Sequence, residues 1–149
     1  MPPAELTSKP RSIMVPVTRS HASMQAVALA CELARKNRGK VYVVHVIEVQ
    51  RTLPLDAQVE SDETAGDDIL SQAQQVAKDQ SFDVEGEILH ARDAGPAIVD
   101  EAIERGVELI ILGMAYPKRY GEFQLGRVVQ YVLRSAPCEV WMCRHPAEE

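Results

Sequence analysis

Gly113, Tyr116, Gly126 and Arg127 are the residues whose types and spacing point most directly to chemistry. They sit in the run Ile110-Ile111-Leu112-Gly113-Met114-Ala115-Tyr116 and, past Gly121, in Leu125-Gly126-Arg127-Val128. A continuous apolar run, a polar stretch and a renewed apolar repeat read as a buried strand, a loop and the start of a helix. In an open α/β sheet such a junction takes a phosphate, because the unpaired helix N–H groups and the helix dipole both favour an anion. Lys118, Arg119 and Arg127 bring positive charge to the same loop. The same residues also have plain structural readings, as solvated loop charges and as glycines of tight turns.

Other chemistries find less support. His45 lies in an apolar, strand-like run and reads as a core or pocket-edge histidine rather than a base. His21, His90 and His145 are scattered, with no zinc-site spacing on one helix, no carboxylate–histidine cluster and no G-x-S-x-G motif. Ser20 has no base near it in sequence and is placed to cap the helix that follows. The expectation is a protein without a metal and without catalysis.

Elements that position these residues must fit in 149 residues, the size of one domain. A hydrophobic share of 46% with 26% charged residues suits a soluble globular protein, and the net charge of -6 argues against nonspecific nucleic-acid or acidic-membrane binding. Any bound anion therefore needs a local site. The odd number of cysteines, Cys31, Cys138 and Cys143, suits a reducing compartment. On one strand the last two would be roughly 16 Å apart at about 3.3 Å per residue, too far to bridge. The first residues lack the apolar core of a signal peptide, and no apolar run approaches the ~20 residues of a membrane span, so the expected location is cytoplasmic.

Pro2, Pro3 and Pro10 make residues 1–10 a flexible leader, residues 11–145 the domain and 146–149 a tail. Ile13-Met14-Val15-Pro16-Val17 is a strand buried on both faces. After Ser20, Met24, Val27, Cys31 and Ala34 recur at helical spacing, and Gly39 ends the helix. Val41 to Ile47 is a second two-sided strand, and residues 48–60, interrupted by Pro54, form the longest internal loop. Ser61 is the expected cap of a second helix with Ile69, Ala73, Val76 and Ala77 inward, and Asp83 to His90 alternates as strand three.

Gly95-Pro96 opens a third helix with Ile98, Val99, Ala102 and Ile103 on its apolar face, and Gly106 stops it. Leu109 to Leu112 is strand four. Leu125, Val128, Val129, Val132 and Leu133 mark helix four, and Glu139 to Cys143 strand five. Strands alternating with helices imply a doubly wound α/β fold on a five-stranded parallel sheet, with ligands beyond the carboxyl ends of the strands. Those ends are Val17-Thr18, Val46-Ile47 and Leu112-Gly113.

Across Arg11 to Arg144 the sequence resembles the universal stress protein family. The marks are Ile13-Met14-Val15-Pro16-Val17 leading into Ser20 and Ala22, His45-Val46, and Leu109-Ile110-Ile111-Leu112-Gly113. The strongest is Leu125-Gly126-Arg127-Val128 through Tyr131-Val132-Leu133-Arg134-Ser135-Ala136-Pro137-Cys138-Glu139-Val140. The resemblance implies an adenine nucleotide alpha hydrolase-like sheet of strand order 3-2-1-4-5, and a homodimer paired through the last strand at Val140, Trp141 and Met142. ATP-binding members share a loop of Gly, two residues, Gly, nine residues, Gly, then Ser or Thr. Gly113 and Gly126 match its first and third marks, while Tyr116 and Arg127 replace the second glycine and the hydroxyl residue. Thr18 stands where the family usually has an aspartate, and Val46 fits its backbone contact to adenine.

The ligand positions expected from this are Thr18, Val46, Gly113, Tyr116, Gly126, Arg127 and Val128. With the cradle altered, the reading turns from ATP to another adenine nucleotide, AMP or a cyclic dinucleotide, met by Arg127. The function implied is a regulatory or stress-response module. The alternative is an adaptor that binds no nucleotide, its pocket plugged by Tyr116, acting on a membrane transporter by protein contact. A likeness of Gly126 to Arg144 and Leu53-Pro54-Leu55 to transporter-appended domains carries that alternative.

Overall fold

The structure, a computed structural model, describes residues 10–116 and 126–146. The elements in order are β1 (Ser12–Pro16), α1 (His21–Asn37), β2 (Lys40–Glu48), α2 (Glu60–Asp79), β3 (Glu85–Ala91), α3 (Ala94–Arg105), β4 (Leu109–Tyr116), α4 (Arg127–Ser135) and β5 (Glu139–Pro146). All strand pairings are parallel and the sheet order is β3-β2-β1-β4-β5. The chain thus winds outward from β1 in one direction and then in the other, as right-handed crossovers require.

Continuous apolar runs are explained by two cores, one on each face of the sheet. Ile13, Val15, Leu109 and Ile111 point to the layer holding Val27, Cys31 and Ala34 of α1 and Ile69, Ala73 and Ala77 of α2. Met14, Ile110 and Leu112 point the other way, to Ile98, Val99 and Ala102 of α3 and Val132 of α4. One residue of register on β1 or β4 would exchange the two sets, so the register is fixed by burial.

Several expected boundaries shift. Pro10, assigned to the leader, is buried, and its carbonyl accepts a hydrogen bond of 3.3 Å from Asn37 Nδ2. At the other end Pro146, assigned to the tail, closes β5. Ser61 does not cap α2. The helix starts at Glu60 with Val59 at the cap position, and its first turn is held by the acidic Glu60, Asp62 and Glu63. Helix α1 ends on Arg38 in the left-handed conformation (φ 55°) rather than on Gly39, which instead packs against the Arg11 backbone.

Strand β3 starts at Glu85, two residues later than the alternation suggested, and β4 runs four residues past Leu112. Ile103 and Leu133, expected on buried faces, are 57% and 43% exposed. Each follows directly on a buried residue, Ala102 or Val132, and a one-residue step of about 100° carries it off the stripe. The ends of β3 and α3 are joined instead by charge. Arg105 reaches Glu101 (2.6 Å), Glu87 and Glu85 (3.6 Å), and its guanidinium stacks 4.7 Å from the Tyr42 ring centroid.

All three cysteines are free. Burial, partly offset by Arg35, pushes the Cys31 thiol up from 9.0 to about 11. The folded state keeps that proton where the unfolded chain releases it, so this contribution to stability is complete below about pH 9 and is lost as pH rises through about 11. Chemical denaturation at pH 8 and at pH 11 should therefore show a larger loss for the wild type than for Cys31→Ala. Equal losses would contradict the assignment.

Candidate functional site

The sheet creates a notch because its central strand is the shortest. β1 ends at Pro16 after five residues, while β2 and β4 on either side run nine and eight. Val17 N still donates to Val44 O at 2.8 Å, after which the chain turns away toward α1. Backbone groups of a strand alternate between its two edges, so Val46, two residues beyond Val44, presents its N–H and C=O on the same side. They face the space that β1 has vacated. His45 and Val49 take the opposite edge, as the 2.8 Å bond from Val49 N to Ala91 O of β3 shows.

The turn out of β1 is held by hydroxyl groups. Ser20 caps α1 as its type predicts, Oγ accepting from Ser23 N at 3.2 Å. The buried Ser23 hydroxyl shares its one proton between Thr18 O (3.0 Å) and Ser20 O (2.9 Å) and accepts from Thr18 N (3.1 Å). Thr18 Oγ1 donates to Ser20 Oγ (3.0 Å) and accepts from Ser20 N (3.2 Å), so its hydroxyl is engaged by the turn itself. On the other side of the notch the Val17 carbonyl accepts from His45 Nδ1 at 2.9 Å. A carbonyl can only accept, which fixes the proton on Nδ1 and makes His45 a pocket-edge residue satisfied by backbone.

A cavity of about 280 Å³ fills the notch, between the carboxyl ends of β1, β2 and β4 and the first turns of α3 and α4. Four of the expected ligand positions, Thr18, Val46, Gly113 and Val128, line it. Arg127 lines a neighbouring cavity of about 240 Å³ that shares Glu48, Ala94 and Val128 with the first. Arg127 is exposed, and two carboxylates, Glu48 and Asp93, share its cavity. Gly126 is the cap position of α4 and lines neither cavity. The backbone of Tyr116 ends β4 opposite Pro146. Its side chain, and Lys118, Arg119, Gly121 and Leu125, lie outside the described residues.

Gly113 is a strand residue rather than a loop glycine. Its missing side chain lets α1 approach β4, since a Cβ there would lie 2.6 Å from the Ala22 carbonyl carbon and 3.0 Å from Ser23 N. At Gly126 a Cβ would meet nothing within 4 Å. The glycine spacing therefore joins two unrelated requirements, close packing at 113 and an open helix start at 126.

Sequence reasoning missed Ser23, Glu48, Ala94, Ile98 and Val129 as lining residues. Glu48 and Ala94 had a signal, since one ends a strand and the other precedes the helix-opening Gly95-Pro96. The link between them is tertiary: Glu48 Oε2 accepts from Ala94 N at 3.1 Å, capping α3 in place of Asp93, whose side chain makes no cap bond. Among the described residues no group of three or more His, Cys, Asp or Glu is arranged to hold a metal ion.

The profile of the universal stress protein family matches residues 10–144. A universal stress protein of Methanocaldococcus jannaschii is 24% identical over 145 residues, covering 93% of this chain and 85% of the relative. Among solved structures, the universal stress protein of Archaeoglobus fulgidus in complex with dAMP superposes with a TM-score of 0.70 at 24% identity, covering 88% of this chain and 95% of that one. An Arabidopsis thaliana family protein with AMP bound gives 0.67 at 17% identity, covering 91% and 92%.

The two glycines should respond differently to a methyl group. Gly113→Ala, which meets a backbone carbonyl that cannot rotate away, should cost about 1–3 kcal/mol, and Gly126→Ala less than about 1 kcal/mol. Urea denaturation midpoints at unchanged m-value test the contrast, and equal shifts would remove the packing role of Gly113.

Proposed function

The chain belongs to the universal stress protein family, and on that premise we propose that it is a regulatory, stress-response module whose notch takes an adenine nucleotide of low charge, such as AMP or a cyclic dinucleotide. The observation that carries this is the pair of Val46 backbone groups facing the cavity beyond the end of β1. A donor and an acceptor on one strand edge suit the edge of a purine, and Val46, Ile98, Leu112, Val128 and Val129 supply apolar walls for its faces. The dAMP and AMP bound to the structural relatives support the same ligand class.

Phosphate recognition would then fall to Arg127 and the N-terminus of α4 rather than to a glycine cradle. Glu48 and Asp93 nearby disfavour the added charge of a triphosphate, Glu48 more than Asp93, which is paired with Arg51 at 3.7 Å. The role is binding, with no catalytic step. The protein would act in the cytoplasm; no helix among the described residues is long and apolar enough to cross a membrane.

The functional unit in this reading is a homodimer joined along β5. That strand is an edge of the sheet, with Val140 and Trp141 half-buried and Met142 37% exposed. A second copy would cover the edge and the exposed Leu133 nearby in sequence. A second reading, a surface-acting adaptor with a membrane transporter among its expected partners, is favoured by the engaged Thr18 hydroxyl and the exposed Arg127.

Calorimetric titration with adenosine, AMP, ATP and cyclic di-AMP separates the two. AMP or cyclic di-AMP should bind more tightly than ATP, and Arg127→Ala should weaken AMP about threefold to fivefold, as befits an exposed charge, without affecting adenosine. Silence with every ligand would favour the adaptor. Sedimentation should show a dimer that Met142→Lys dissociates, and a monomeric wild type at micromolar concentration would overturn the dimer.

A further inference from the structure

The notch and the Arg127 cavity meet along three residues, Glu48, Ala94 and Val128. A ligand with its base on the Val46 edge and its phosphate at Arg127 must cross that junction with its sugar. Of the three side chains only that of Glu48 is polar. The part of a nucleotide that carries free hydroxyl groups therefore passes a carboxylate, a group that can only accept from them.

The position of Glu48 follows from strand geometry. Val44 and Val46 turn their side chains to the layer of α3 and α4, and Glu48, two residues on, leaves the same face. It lies roughly 7 Å beyond Val46 at about 3.3 Å per residue, a step on the scale that separates the pairing edge of a purine from its sugar. The carboxylate is aimed by its bond to α3, where Oε2 accepts from Ala94 N at 3.1 Å. Among the described residues Glu48 makes no other hydrogen bond or ion pair. The anchored group keeps its second oxygen, Oε1, as an acceptor where the two cavities join.

Neighbouring polar groups are already engaged. The Thr18 hydroxyl is bonded twice to Ser20, and the Ser23 hydroxyl is bonded to Thr18 and Ser20. Asp93 borders the Arg127 cavity but not the notch, and it is paired with Arg51 at 3.7 Å. In doubly wound dinucleotide folds an acidic side chain commonly accepts from a ribose hydroxyl, and a bond to an ionised acceptor is stronger than one to a neutral group.

We propose that Glu48 reads the sugar of the bound nucleotide, Oε1 accepting from a ribose hydroxyl, so that the site prefers a ribonucleotide to its deoxy counterpart. The inference rests on the nucleotide reading of the notch and adds to it the class of sugar.

Calorimetric titration of the whole chain with adenosine, 2′-deoxyadenosine, 3′-deoxyadenosine and 2′,3′-dideoxyadenosine tests it, since none of these carries a phosphate for Glu48 to repel. Adenosine should bind at least about fivefold more tightly than the dideoxy compound, as one hydrogen bond to a charged group at an open site allows. One of the two monodeoxy compounds should lose most of that margin and so identify the hydroxyl. Glu48→Gln, which keeps an acceptor for Ala94 N but no charge, should shrink the margin to about twofold or less, with the affinity for dideoxyadenosine unchanged. A structural or general electrostatic role of Glu48 would instead move both ligands alike, and that result would overturn the assignment. Equal affinity of the wild type for adenosine and dideoxyadenosine would overturn it too, leaving the nucleotide reading in place. No binding of either compound would overturn that reading and the inference with it.

Discussion

The structure depends on the burial of a five-residue strand, β1, between two longer neighbours and two helical layers. Ile13, Met14 and Val15 have no exposed surface. Every backbone group there must be matched by β2 or β4, and every side chain by a core. That double demand fixes the register on both sides and places α1 and α2 on one face, α3 and α4 on the other. The same strand's early end makes the notch. Core and site are thus two consequences of one length, and a β1 extended by two residues would pair with the edge that Val46 now offers to the cavity.

Much of this was legible because burial on both faces leaves a plain mark. Val41 to Ile47 and Leu109 to Leu112 are too continuously apolar for a one-sided sheet, and alternation with helices then implies parallel strands. The turn was legible too, since Ser20 is a cap by type and position. The parts that were not legible are those decided across the fold. Ser61 looks like a cap, but the first turn of α2 is set by Val59 and its acidic residues. Gly113 looks like a phosphate glycine, yet what forbids a side chain there is the Ala22 carbonyl, ninety-odd residues away in sequence. Glu48 carries no motif at all and is found at the site because it caps α3.

Charge around the notch follows from that capping. A helix N-terminus attracts an anion, and at α3 the anion is supplied from within by Glu48. The favourable potential of α3 is therefore partly used by the protein's own carboxylate. Asp93, which stands at the helix cap position, turns instead to Arg51 at 3.7 Å. What remains for a ligand is the N-terminus of α4, where Gly126 leaves space and Arg127 stands exposed.

An exposed guanidinium contributes modestly, about 0.2–1 kcal/mol to an ion pair in water, so it can bias the choice among ligands but cannot supply most of the affinity. The Thr18 hydroxyl would have to leave two bonds within its own turn before it could serve a ligand, and that exchange is close to neutral. The remaining source is the cavity itself, where apolar side chains from four elements meet the backbone edge of Val46. Removal of purine surface from water, at roughly 25 cal/mol per Å², outweighs both polar contributions once a few tens of square ångströms are covered. In the proposed nucleotide reading, affinity would be set by the base and its fit against Val46, and the phosphate would decide which nucleotide is tolerated. Whatever Thr18 and Arg127 contribute, the walls of the cavity are constrained separately, because Leu112, Ile98 and Val44 among them are also the core that holds β1 in place.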